Sequence, residues 1–132
     1  MGTTTVYPVT PTYTGAALTK YDNLTSNLTV IIDSTTAQGV LNLGKMVVTF
    51  ENYSTTASTT VTLKAGDTFS DYHIGDVAAC TISTATTAIS TACTIVFGGK
   101  QFESARFLES DEQIEFTLAT GATVYISAVM LP

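Results

Sequence analysis

The single histidine of this 132-residue chain, His73, lies in the run DTFSDYHIGD with Asp67, Asp71 and Asp76 close by. An imidazole among carboxylates is the raw material of a metal site or of acid–base catalysis. The aspartates lack the alternating spacing that aims one loop's side chains at a single calcium ion. A solvated loop, with Gly66 and Gly75 at turns and aspartates capping them, accounts for the run. A second acidic group, Glu109, Asp111 and Glu112, consists of sequence neighbours beside a polar turn, whereas glycosidase carboxyls face each other across a cleft. Nucleophilic catalysis has no starting point either. There is no Gly-x-Ser-x-Gly elbow, and neither cysteine shares a recognisable motif with the histidine. The chain is therefore expected to be no enzyme, with no catalytic residue, no metal ligand and no cofactor.

Three other features carry weaker chemistry. Asn23-Leu24-Thr25, Asn27-Leu28-Thr29 and Asn52-Tyr53-Ser54 each fit the N-glycosylation acceptor, a pattern that frequent Ser and Thr produce readily by chance. Cys80 and Cys93 allow one bridge, but two thiols in a product made in the cytoplasm are more often free, buried and small. Arg106, the only arginine, lies in the strand-like run Glu103-Ser104-Ala105-Arg106-Phe107. Its planar fork suits either a partner contact or an internal pair with Glu103 or Glu115.

The elements that must position these residues follow from composition and period. Apolar residues make up 45% of the chain and charged residues only 12%, about half the usual ~25%. Surface polarity falls instead to 27 Thr and 10 Ser, and threonine sits well on the exposed face of a sheet. A net charge of −6 with five scattered cations, Lys20, Lys45, Lys64, Lys100 and Arg106, excludes a phosphate-binding stripe, so no nucleic acid is expected. No run approaches the ~18 apolar residues of a membrane helix, and no signal peptide opens the chain. Met1-Gly2 lacks the hydroxyl residue that a myristoylation pattern wants at Val6. Synthesis in the cytoplasm and no membrane partner are the expectations.

Residues 1–27 hold Pro8 and Pro11 with Tyr7, Tyr13 and Tyr21 and little periodicity, which predicts an extended N-terminal arm. The tyrosines, with an apolar ring and a polar tip, are its natural anchors on a partner. From residue 28 the period is two. Leu28, Val30 and Ile32 share a face, as do Met46, Val48 and Phe50, then Val61 and Leu63, Ile95 and Phe97, Ile114, Phe116 and Leu118, and finally Val124, Ile126, Ala128 and Met130. Short strands broken by Gly44, Gly66, Gly75, Gly98-Gly99 and Gly121 predict an all-β fold: an antiparallel β-sandwich, jelly-roll or Ig-like, over residues 28–132. Ala79 to Ile95 nearly mirrors itself about Thr86 and Thr87, which would set Cys80 opposite Cys93 in one hairpin with a broad loop.

The runs VVTFENYSTTASTTVTLKAGD (Val47 to Asp67), Gly75-Asp76, ESARFLESDEQIEFTLATG (Glu103 to Gly121) and VYISAVMLP (Val124 to Pro132) together resemble small virion proteins of tailed bacteriophages. The resemblance covers residues 47–132. The acidic turn Ser110-Asp111-Glu112-Gln113 and the length of the Thr81 to Thr91 loop depart from that pattern. What it implies is a sandwich that decorates or cements the outside of a phage head by contact with the major capsid protein, as a homo-oligomer, a trimer above all. Tyr7, Pro8, Tyr13, Tyr21 and Arg106 are the contact candidates, since an extended arm can lie across a neighbour at modest ordering cost. The alternative is an Ig-like adhesin or carbohydrate-binding module of a tail or cell surface, with Tyr53, Tyr72 and Tyr125 as its platform.

Overall fold

The structure, a computed structural model, describes residues 2–9, 20–23, 27–33, 46–66, 75–86, 89–97, 107, 109, 113–119 and 123–130. Among them are nine strands and no helix: β1 (Gly2–Val6), β2 (Tyr21–Asn23), β3 (Asn27–Asp33), β4 (Met46–Asn52), β5 (Thr59–Leu63), β6 (Val77–Ile82), β7 (Thr91–Val96), β8 (Gln113–Leu118) and β9 (Val124–Met130). The predicted alternation is realised along β4, β5 and β8, and the side chain of Leu28 lies outside the described residues. Met46, Val48 and Phe50 are buried while Val47, Thr49 and Glu51 are not, and β8 repeats the pattern with Ile114, Phe116 and Leu118 inside.

One sheet has the order β1-β3-β8-β5-β6 and the other β2-β9-β4-β7. Four of the antiparallel pairs, β2 with β9, β3 with β8, β4 with β7 and β5 with β6, join strands equally distant from the middle of the chain. The segment from β2 to β9 is thus one long ribbon doubled back between β5 and β6. Its successive pairs lie alternately in the two sheets. Contacts of β9 with β4 and of β8 with β5 then close the roll. This is the double Greek key of a jelly roll, which decides between the two sandwich types in favour of that one.

Between the sheets, Phe116 from β8 receives Phe50 from β4 edge-on, with centroids 5.1 Å apart at 68°, and Phe97 at 6.3 Å and 74°. Edge-to-face packing sets the positive rim of one ring against the negative face of the next. Phe107, at the end of the ESARF run, is buried in the same core.

The segment predicted to be an arm is part of the sandwich wherever it is described. β1 pairs in parallel with β3, and the Val6 side chain is completely buried in the core. Beyond β1 the chain leaves that sheet for the other, where Val9 bridges Val129 through Val9 N–H to Ala128 O and Met130 N–H to Val9 O, both 2.9 Å. Pro8, which has no N–H to offer a ladder, occupies the crossing and is buried. β2 then pairs along the same edge of β9. GTTTV shows no apolar alternation, so its strand character rests on the neighbour it pairs with.

The hairpin drawn by the mirrored Ala79 to Ile95 run does not form. β6 pairs with β5 and β7 with β4, in different sheets. The connection between them passes from sheet to sheet, pinned by Ala85 N–H to Ser54 O at 2.7 Å and by Thr86 N–H to Ile89 O at 2.9 Å. Cys80 does stand opposite Cys93, however, and the two are not free thiols: they form a disulfide with Cα atoms 6.6 Å apart.

Candidate functional site

Of the acidic groups singled out by sequence, His73, Asp67, Asp71, Asp111 and Glu112 lie outside the described residues. Asp76 is described, and it serves the fold. Its Oδ2 pairs with Lys64 Nζ at 2.7 Å and its Oδ1 accepts Ala65 N–H at 2.9 Å, next to Gly75 at φ 69°. The Lys64 ammonium, followed by the Ala65 N–H, holds the Asp76 carboxyl below the usual aspartate range. Glu109 gives its backbone N–H to Gln113 O at 2.8 Å. Among the described residues, no three His, Cys, Asp or Glu side chains gather into a metal-binding group.

Of the contact candidates, Tyr13 and Arg106 fall outside the described residues. Tyr7 and Tyr21 meet edge-to-face, with centroids 6.5 Å apart at 65°. Both are half-buried, and Tyr21 packs against the core. They stand where β1, the edge of one sheet, approaches β2, the edge of the other, so these rings help to close one side of the roll.

Among the described residues, the richest side-chain cluster is on the outer face of the four-stranded sheet. Phe50 and Asn52 point inward, so Glu51 points out, opposite Tyr125 in the β4–β9 register. Tyr53 follows β4 with its N–H on Thr123 O at 2.9 Å, which sets its ring against that of Tyr125 at 4.8 Å and 89°. The Tyr53 hydroxyl donates to Glu51 Oε2 at 2.6 Å. Lys20 Nζ reaches Glu51 Oε1 at 3.3 Å and the Tyr53 oxygen at 3.4 Å, and lies 5.9 Å from the Tyr53 ring centroid, within cation–π range. The Tyr53 hydroxyl, more than Lys20, holds the Glu51 carboxyl below the usual range, and burial opposes it. Tyr53 itself is 41% exposed. The cluster presents an aromatic face beside a fixed carboxylate and a cation, which suits stacking on a partner's ring or apolar face with a hydrogen bond at its rim.

The face of the other sheet is hydroxylic. Thr3, Thr29, Thr117 and Thr62 pair in succession across β1, β3, β8 and β5 and form one outward row. The Thr60 and Thr81 hydroxyls lie 3.2 Å apart on β5 and β6. These ladders put threonine on the exposed face of the sheet, where its β-branched side chain sits well.

Asn52 closes the question of its acceptor sequence. It is completely buried, and its amide nitrogen donates to Ala57 O at 2.9 Å and Ser83 O at 3.0 Å while its oxygen accepts Ser54 N–H at 2.9 Å. It ties the β4–β5 turn to the crossing between β6 and β7, and its nitrogen is not available to a glycan.

Sequence alternation alone places Glu51 and Tyr125 on outward positions, and Tyr53 and Tyr125 stand among the platform candidates. Lys20 carried no such signal, since its approach depends on β2 docking beside β9. Tyr72, the third platform candidate, lies outside the described residues. Fold and surface together define a jelly-roll module with a compact aromatic and charged patch on one sheet. No family model, no curated protein and no solved structure matches the chain.

Proposed function

We propose that this protein is a virion component that decorates the outside of a bacteriophage head, binding the major capsid protein by non-covalent contact and performing no reaction. The observation that carries this is the set of phage-like runs in residues 47–132. They fall on β4, β5, β8 and β9, the four strands through which the doubled ribbon closes into a roll. That framework leaves the β1 to β2 side and the outer sheet faces as the described surface for a neighbour. Jelly rolls serve as virion modules and as lectins, and a fold alone does not select among such uses.

Mass spectrometry of gradient-purified particles of a phage encoding this chain tests the proposal. The chain is expected as a multi-copy particle protein. Its absence from particles whose other head proteins are all detected would refute it.

The Tyr53–Tyr125 pair favours one second reading, a carbohydrate-binding module of a tail or cell surface, because a paired tyrosine platform beside a carboxylate is also what a sugar ring stacks on. Glycan-array binding by the intact chain that disappears in Tyr53→Ala and Tyr125→Ala would establish it. No glycan bound by the intact chain would remove it.

A further inference from the structure

We infer that β7 is a self-association edge, through which two copies of this chain join their four-stranded sheets by antiparallel β7–β7 pairing about a two-fold axis centred on Thr94. Pairing with β4 uses one side of this strand. The bond from Phe97 N–H to Met46 O fixes the phase, so the N–H and C=O groups of residues 91, 93, 95 and 97 face β4. Those of Ala92, Thr94 and Val96 face away from it, and no described strand pairs with that side.

Sheet edges are normally blocked by charge, proline, bulges or brevity. Among the described residues the other three edges carry such a device. β6 pairs with a bulge between Val61 and Thr62, β1 has a register shift at Gly2 and Thr3 and leads into Pro8, and β2 has three residues. β7 has none: TACTIV is six residues in unbroken register with β4, without charge or proline.

The occupant follows from the strand's own symmetry. In an antiparallel pair with Thr94 opposite Thr94, Ala92 falls opposite Val96, and the free N–H and C=O groups at all three positions meet one another. The same register keeps outward side chains with outward and inward with inward, as a continuous sheet requires. It also extends the hydroxyl contact between Thr49 and Thr94, 3.3 Å, into the second copy. The two exposed large aliphatic side chains among the described residues, Ile89 at 67% and Val96 at 54%, bracket this strand. An antiparallel pair brings the Ile89 end of one copy to the Val96 end of the other. On a chain of net charge −6, residues 89–97 are an uncharged stretch on which two like-charged copies can meet. A two-fold contact of this kind uses the same patch on both partners.

Sedimentation velocity of the intact chain is expected to show a dimer. Thr94→Pro is expected to abolish it and leave the melting temperature nearly unchanged, because the lost N–H faces outward, no backbone bond to β4 is removed, and the only other loss is the exposed hydroxyl contact with Thr49. Thr94→Lys, which sets two cations face to face, gives the same loss without a backbone change. Mild oxidation of Thr94→Cys is expected to produce a covalent dimer, since hydrogen-bonded antiparallel partners hold their Cα atoms about 5.5 Å apart, whereas Ala92→Cys, facing Val96, is not. A monomer at every accessible concentration, a trimer, or a dimer that survives both Thr94→Pro and Thr94→Lys would overturn the inference. None of these outcomes bears on whether the chain is found in virions.

Discussion

Cys80 on the outermost strand of one sheet is joined to Cys93 on the outermost strand of the other, Cα atoms 6.6 Å apart and only 13 residues apart in sequence. The opposite side of the roll is closed differently, by the crossing at Pro8 and Val9 and by the Tyr7–Tyr21 pair. A jelly roll whose β6 and β7 edges share no hydrogen-bonded ladder is thus clamped covalently where its ribbon would otherwise part.

Loss of this bridge should lower stability by about 3 kcal/mol, the chain-entropy value for a loop of this length. Urea unfolding of Cys80→Ser/Cys93→Ser against the parent measures it. A difference near zero would mean that the crossing holds the two edges together unaided. Thiol titration of the unfolded, unreduced protein should find no free cysteine.

Asn52→Ala should be severe for a single polar substitution. It strips partners from the Ala57 carbonyl and the Ser54 N–H and removes one of two donors to Ser83 O, the other being the Thr91 hydroxyl at 2.5 Å. Fully buried groups left without partners cost roughly 1–3 kcal/mol each; those released here are only part-buried, so a total loss of about 2 kcal/mol is expected by denaturant unfolding. A loss within the noise would show that water replaces the amide.

Two ion pairs among the described residues, Lys20–Glu51 and Lys64–Asp76, contribute to the pH response. Glu51 and Asp76 have folded pKa values below their ordinary ones, so their contributions are complete above the ordinary carboxylate range and disappear as pH falls through the lowered values. Lys20 is raised, first by the Tyr53 hydroxyl, and Lys64, first by Asp76. Their contributions are complete below the ordinary lysine value and fade as pH climbs through the raised ones. Stability should therefore be flat near neutrality with respect to these four groups. In Tyr53→Phe the Glu51 carboxyl should titrate at higher pH than in the parent, followed by carboxyl-carbon NMR. An unchanged midpoint would remove the hydroxyl as the main cause.

Much of the fold was legible because burial imposes a period of two on any half-buried strand. Val30, Ile32, Met46, Val48, Phe50, Phe116 and Ile126 all lie where alternation puts them. β1 and β6 were not legible, since GTTTV and VAACTI carry little or no alternation and acquire strand geometry from β3 and β5. Pro8 and Pro11 drew attention to an arm, but Pro8 marks a change of sheet. The mirrored cysteine run correctly opposed Cys80 to Cys93 and misassigned the partners of both strands, because opposition across two sheets and opposition within one hairpin look alike in sequence. Most of the surface patch was visible: Glu51 and Tyr125 follow from alternation and Tyr53 stands among the platform tyrosines, whereas Lys20 arrives only through tertiary docking. The choice of jelly roll over an Ig-like order depends on long-range pairing, for which local sequence carries no signal.

The most direct test of the proposed role is sedimentation of the purified chain with undecorated heads of a phage that encodes it. Saturable co-pelleting is expected, reduced when Tyr53 and Tyr125 are both changed to Ala if the aromatic patch is the contact surface. A chain that stays in the supernatant at every ratio of protein to heads would contradict the assignment to the capsid exterior.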